Sequence, residues 1–196
     1  MKRSTLLLLF VSTMAAPLAV RAEDVASQPA PAARPPAPAG VMIADLRGEG
    51  TVAYPYGSWA EALNRTADGI AAVGSKGAQG DGGACGNLPA PMDLSGMTYI
   101  EVALAVGNTN EVPEVTVAVG DTDETMASAR IRVDQLVPSQ PVWFRVPISS
   151  FVLGTGKYAG KVPGLDWTKV AQWHVQGDWA TKKPLQVLFI AIRAHR

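Results

Sequence analysis

Neither sign of charge is in excess in this chain. Its 196 residues hold 17 Lys+Arg and 17 Asp+Glu, and charged residues make up only 17%. A nucleic-acid-binding chain normally carries a basic surplus, so that class of partner is not expected. Cysteine is nearly missing: Cys85 stands alone. One thiol excludes an internal disulfide framework and a cysteine-rich zinc site. Histidine is scarce too, with only His174 and His195. A cysteine nucleophile would need one of them beside it. Internal repeats, charge runs and a long amphipathic helix are all missing. No apolar run approaches the roughly 18–20 residues of a membrane-spanning helix. What the chain does have is 47% hydrophobic residues, 19 glycines and 15 prolines. That apolar fraction is too high for a disordered chain.

The first residues read as an address. Lys2 and Arg3 precede an apolar run from Leu6 to Val11, then small residues, Pro17 and Val20-Arg21-Ala22. This is the layout of a secretory signal peptide cleaved after Ala22. No cysteine lies near that point, so a lipid anchor is not expected. Loss of residues 1–22 removes Lys2, Arg3 and Arg21 and no acid, leaving 14 basic against 17 acidic residues, a charge of −3. Residues 23–40 follow with five prolines and Val25 as the one large apolar residue. Such a segment cannot build a core and reads as a disordered or polyproline-II linker. It is either a spacer or an inert tail. Residues 41–196 are then long enough for one buried core.

Eight segments have strand length and strand patterning, bounded by Gly, Pro, Asn or Asp. They are Val41–Leu46, Gly69–Ser75, Thr98–Val106, Glu114–Gly120, Ser128–Val133, Val142–Pro147, Val170–Gly177 and Leu185–Arg193. Together they predict an all-β fold, a β-sandwich or jelly roll of about eight or more antiparallel strands. Ser58-Trp59-Ala60-Glu61 fits a capping box or an extended stretch. Asp166 is placed to cap a single turn.

Side chains alternate across a strand, so each segment has two faces. Ile100, Val102, Leu104 and Val106 should point inward, as should Val115, Val117 and Val119, then Ala129, Ile131 and Val133, then Val142, Phe144 and Val146. The opposite positions carry Tyr99 and Glu101, Arg130 and Arg132, Trp143 and Arg145, and Gln172, His174 and Gln176. The last segment is apolar on both faces, as in a strand covered on both sides.

Three stretches carry a resemblance: DLSGMTYIEVALAV at 93–106, ARIRVDQLVPSQPVWFRVPISSF at 129–151, and LDWTKVAQWHVQGD at 165–178 leading into LQVLFIAIR. With this pattern the domain resembles the galactose-binding-domain-like jelly rolls, the fold of many carbohydrate-binding modules. The resemblance implies a ligand laid across a concave sheet. The candidate ligand residues are Tyr99, Arg130, Arg132, Trp143, Arg145, Gln172, His174 and Gln176. Guanidinium forks and amides suit sugar hydroxyls, and a Trp or Tyr ring supplies a flat platform. The plain alternative is a solvated sheet face with cross-strand pairs. The resemblance also implies, in some relatives, a structural calcium. Asp45 and Glu49 are its weak candidates, and no acid follows between Leu185 and Arg196.

Other features divide between function and packing. YPYGSW puts Tyr54, Tyr56 and Trp59 together, as a ligand-contacting loop or as rings that plug the end of the barrel. Trp179 divides the same way, whereas Trp167 and Trp173 read as packed. Seven glycines fall between Gly69 and Gly86. They lack phosphate-loop spacing and read as tight turns and positive φ. Cys85 reads as a buried small apolar residue or as an intermolecular disulfide partner. Asp121 and Asp123 read as a hairpin turn, and no carboxylate pair stands out for glycoside hydrolysis.

The expectation is therefore an exported, periplasmic or secreted, non-catalytic binding module. Its ligand would be a glycan or cell-envelope saccharide, with no cofactor required and no membrane helix after cleavage. The alternatives are a structural or envelope-protein-partner module without a sugar site, and a lyase-type jelly-roll enzyme.

Overall fold

Period-two patterning becomes antiparallel strands along the chain. The computed structural model describes residues 40–47, 50–72, 78–155, 159 and 164–196. The expected signal peptide and nearly all of the linker lie outside the described residues, as do Glu49 and residues 73–75. The strands are β1 (Val41–Asp45), β2 (Tyr54–Gly57), β3 (Leu63–Thr66), β4 (Gly69–Ala72), β5 (Ala78–Gln79), β6 (Gly82–Met92) and β7 (Tyr99–Val106). They continue as β8 (Glu114–Asp121), β9 (Met126–Arg132), β10 (Val142–Pro147), β11 (Val152–Leu153), β12 (Val170–Gln176), β13 (Pro184–Leu185) and β14 (Val187–His195). A 3₁₀ turn covers Ile148–Ser150.

Two six-stranded antiparallel sheets form the sandwich. Sheet A runs β10-β7-β14-β4-β3, with β1 also paired to β14. Sheet B runs β11-β9-β8-β12-β6-β2, and β13 with β5 makes a small third sheet. All of this is a jelly-roll β-sandwich, as the alternation predicted. Among the described residues no helix is long and apolar enough to cross a membrane.

The core lies between the inner faces. Sheet A contributes Ile100, Val102, Leu104, Val146, Phe189 and Ile192; sheet B contributes Val115, Val117, Val119, Ile131, Trp173 and Val175. Each large aliphatic side chain taken fully out of water favours the fold by about 1.5–3 kcal/mol. Asp121 ties the end of the β8–β9 hairpin. Its buried carboxylate accepts from the backbone N–H groups of Asp123, Thr125 and Asp166 at 2.9–3.0 Å. Asp166 caps its turn through the N–H and Oγ of Thr168 at 3.0 and 2.6 Å. Residues 58–62 form hydrogen-bonded turns rather than a helix.

Two features depart from the sequence reading. The glycine-rich stretch holds an eleven-residue strand, β6, between β12 and β2. Its glycines clear space for rings. A Cβ on Gly82 would lie 2.2 Å from Trp59 Cδ1, and one on Gly86 would lie 2.6 Å from Trp173 Cζ2. Positive φ is confined, in this stretch and among the described residues, to Gly69. The second departure is a register shift in β14 between Phe189 and Ala191. One extra residue reverses the alternation beyond it. Ile192 and Ala194 therefore enter the core, while Arg193 and His195 turn to the outer face of sheet A.

Candidate functional site

The sheet order divides the sequence-predicted residues between two faces. Tyr99, Trp143 and Arg145 sit on the outer face of sheet A. Arg130, Arg132, Gln172, His174 and Gln176 sit on the outer face of sheet B. The reason is pairing: β9 joins β8, whereas the next strand, β10, crosses to β7. The expected single ligand face is thus two faces on opposite sides of the core.

On sheet B a groove of about 640 Å³ crosses the strands. Its floor is small because β6 and β8 present Cys85 and Ala118, with Ser128 beyond them on β9. Tyr56 and Trp179 form one wall, with ring centroids 6.3 Å apart and planes within 12°. Tyr56 folds over Gly83, where a Cβ would lie 2.5 Å from its hydroxyl. Trp179 is 53% exposed, and its Nε1 donates to Gln176 Oε1 at 2.9 Å. This fixes one ring edge and leaves ring surface to solvent. Tyr54 is exposed on the same strand as Tyr56. Met126 and Thr155 line the opposite side.

His174 lies in the floor, opposite Cys85 in register. Its Nδ1 is 3.3 Å from the Tyr56 hydroxyl, and its Nε2 is buried without a hydrogen-bond partner. Burial lowers its pKa to about 4. Burial also pushes the Cys85 thiol upward. Both groups are neutral at pH 7, and no charged side chain lines the groove among the described residues. Gln172 lies just along β12, over Gly120. Arg130 and Arg132 stand farther out on β9. They are exposed and paired with Glu114 at 3.3 Å and Asp134 at 2.6 Å.

Sheet A carries the opposite electrostatics. Glu101 is 3% exposed at the centre of its outer face. Burial works to raise its pKa, but hydrogen bonds from Arg193 and Arg145 prevail and hold it low. Arg193 Nε lies 2.7 Å from one carboxylate oxygen and Arg145 Nε 3.0 Å from the other. His195 Nε2 is 3.1 Å from Glu101 and its ring stacks on Tyr99. Arg193 lies 3.8 Å from the centre of the Trp143 ring.

Several expectations need correction. Trp59 has no exposed surface: it packs on Phe189 and donates Nε1 to Gln79 O at 3.0 Å, so it is a plug and cannot touch a ligand. Cys85 is half-buried in the groove floor rather than in the core. Asp45 is engaged by Arg47 at 2.8 and 2.7 Å, and among the described residues no three His, Cys, Asp or Glu converge as metal ligands. β14 is central and none of its residues is exposed, as its apolar faces predict, although Leu188 and Ile190 border a hollow of about 550 Å³. Sequence reasoning missed Arg193, because unbroken alternation would have sent it inward. It also missed Met126 and Ser128, which carry no chemical signature of their own.

No family model matches the chain, and no curated protein does. Solved structures do. The family 11 carbohydrate-binding module of the cellulosomal cellulase Lic26A-Cel5E of Clostridium thermocellum superposes with a TM-score of 0.53 at 17% identity, over 80% of this chain and 94% of that one. The fold is that of a carbohydrate-binding-module jelly roll. Another solved structure, a family 11 carbohydrate-binding module from Clostridium thermocellum in complex with a β-1,3-1,4-mixed-linked tetrasaccharide, gives 0.49 at 18% identity, over 76% and 85%. Within this fold the groove of sheet B and the ion-paired face of sheet A lie on opposite sides of the core.

Proposed function

We propose that the chain is an exported, non-catalytic module that holds an uncharged stretch of glycan in the groove of sheet B. The observation that carries this reading is the parallel Tyr56–Trp179 wall beside a neutral floor. Aromatic rings offer an apolar platform to the C–H faces of a sugar and lose little entropy on binding. Gln176, Ser128 and His174 add donors and acceptors for hydroxyls. A volume of about 640 Å³ falls in the ordinary range for small-ligand sites. Residues 1–22 would direct export to the periplasm or medium, and residues 23–40 would act as a linker to the domain at 41–196.

The chemistry of the floor supports binding over catalysis. An activated Cys–His pair has its thiol pKa lowered and its imidazole protonated. Cys85 and His174 are shifted in the opposite directions. An imidazole with a pKa of about 4 is also a weak general base at neutral pH, which counts against the lyase reading. The open groove with its exposed ring favours a soluble polymer over an envelope-protein partner.

Affinity electrophoresis through gels containing neutral β-glucan or galactomannan tests the reading. The wild-type chain should be retarded by at least one of them. Trp179→Ala and Tyr56→Ala should weaken that retention by about tenfold, equivalent to ~1.4 kcal/mol. Retention unaffected by both changes would rule out this groove.

A further inference from the structure

The outer face of sheet A has the features of a second site, one for a charged sugar. β10 is an edge strand of that sheet, so a polymer has room to run past it. Trp143 and Arg145 are two residues apart on β10 and share a face, a spacing of about 6.5–7 Å. Trp143 is 43% exposed, and Arg193 backs its ring at 3.8 Å. That contact fixes the ring as a platform rather than leaving it a mobile side chain. Arg145 is fixed as well. Its Nε donates to Glu101, and its guanidinium lies 4.8 Å from the centre of the Tyr99 ring.

Among the described residues, Nε is the one nitrogen of Arg145 that donates a hydrogen bond. Its two terminal nitrogens have no hydrogen-bond partner among the described residues, and more than half of its side chain is open to water. A guanidinium held in place with its terminal nitrogens open suits a planar carboxylate. The local charge agrees. Glu101 neutralises one of two guanidinium groups and is itself sealed from solvent. A positive remainder faces outward beside a flat apolar ring.

We propose that Trp143 and Arg145 form a uronate-binding site, separate from the groove of sheet B. The sugar ring lies on Trp143 and its carboxylate is taken by the terminal nitrogens of Arg145. Glu101 and Tyr99 act as positioning residues that hold the arginine. The site does not depend on the groove, since the two lie on opposite sides of the core.

The test is affinity electrophoresis of the full chain in gels containing polygalacturonate, with neutral β-glucan and polyglutamate in parallel. The wild-type chain should be retarded by polygalacturonate, and added salt should weaken this because the site is exposed. Arg145→Gln and Trp143→Ala should each reduce the retention about tenfold, while Trp179→Ala leaves it unchanged. Arg145→Lys keeps a charge beside Glu101 but loses the planar fork. It should fold as the wild type does and still bind severalfold more weakly. Three results would overturn the proposal: no retardation by polygalacturonate, retardation that survives both Arg145→Gln and Trp143→Ala, or equal retardation by polyglutamate. The last would mean that the face reads charge and not a sugar.

Discussion

The outer faces of the two sheets solve the same problem with opposite chemistry. Sheet A buries a carboxylate and surrounds it with Arg145, Arg193 and His195, each stacked on or under an aromatic ring. Sheet B keeps a neutral floor of Cys85, Ala118, Ser128 and an uncharged His174, with its charges farther out on β9. One face is made rigid by ion pairs around a buried acid. The other is made hollow by small residues. The comparison teaches that polar residues on strands are not equivalent: those around Glu101 hold one another in place, while on sheet B the ion pairs stand apart on β9 and leave the groove floor uncharged.

The largest expected effect lies on sheet A. Arg193→Met leaves the Glu101 carboxylate buried with one of its two guanidinium partners gone. Unpairing a buried charge typically costs about 3–5 kcal/mol, and the surviving Arg145 contact places this variant near ~3 kcal/mol. Urea unfolding should show the midpoint falling at constant slope. Glu101→Gln should cost less, because the arginines keep their access to water. If Glu101→Gln proved the more damaging change, the face would be held by the arginines and not by the need to neutralise the acid. The pH dependence follows from the lowered pKa of Glu101. Its stabilisation is complete above the ordinary carboxyl range and is lost as pH falls through its lowered folded value.

A smaller effect belongs to sheet B and to a different pH window. His174 has a folded pKa of about 4 against an ordinary 6.5. As pH falls below 6.5 the unfolded chain takes up the proton first, so stability declines between about 6.5 and 4. Between pH 7 and pH 5 the wild type should lose about 2 kcal/mol more than His174→Gln. Parallel slopes for the two proteins would show that the imidazole is already hydrated and that burial does not hold its pKa down. The smallest effect is expected at the margin of the same sheet. Arg132 pairs with Asp134 in the open, so Arg132→Ala should leave the urea midpoint essentially unchanged. A larger loss would blur the contrast with Arg193.

Much of this was legible in the sequence. The alternation of Ile100, Val102 and Leu104 with Tyr99 and Glu101 fixes both the strand and its two faces, because Cβ atoms alternate across any strand. β10 was read to the residue. The glycines of β6 were misread because a residue without a side chain leaves no alternation to see. The apolar matter over Gly82, Gly83 and Gly86 comes from Trp59, Tyr56 and Trp173 on other segments. The candidate ligand residues were correctly placed on outer faces. Their division between two sheets was not visible, because nothing local in β9 or β10 states which strand each will pair with.

By itself the sequence determined an all-β sandwich, the inward residues of most strands and a small set of outward polar and aromatic residues. Those follow from the period of the strand and the removal of apolar side chains from water, which act over neighbouring residues. The tertiary structure alone decided that β9 and β10 part company, that a one-residue bulge turns Arg193 outward beneath Trp143, and that Trp179 comes to lie parallel to Tyr56. Those depend on long-range pairing and register, where one extra residue reverses a face and no short stretch of chain carries the information.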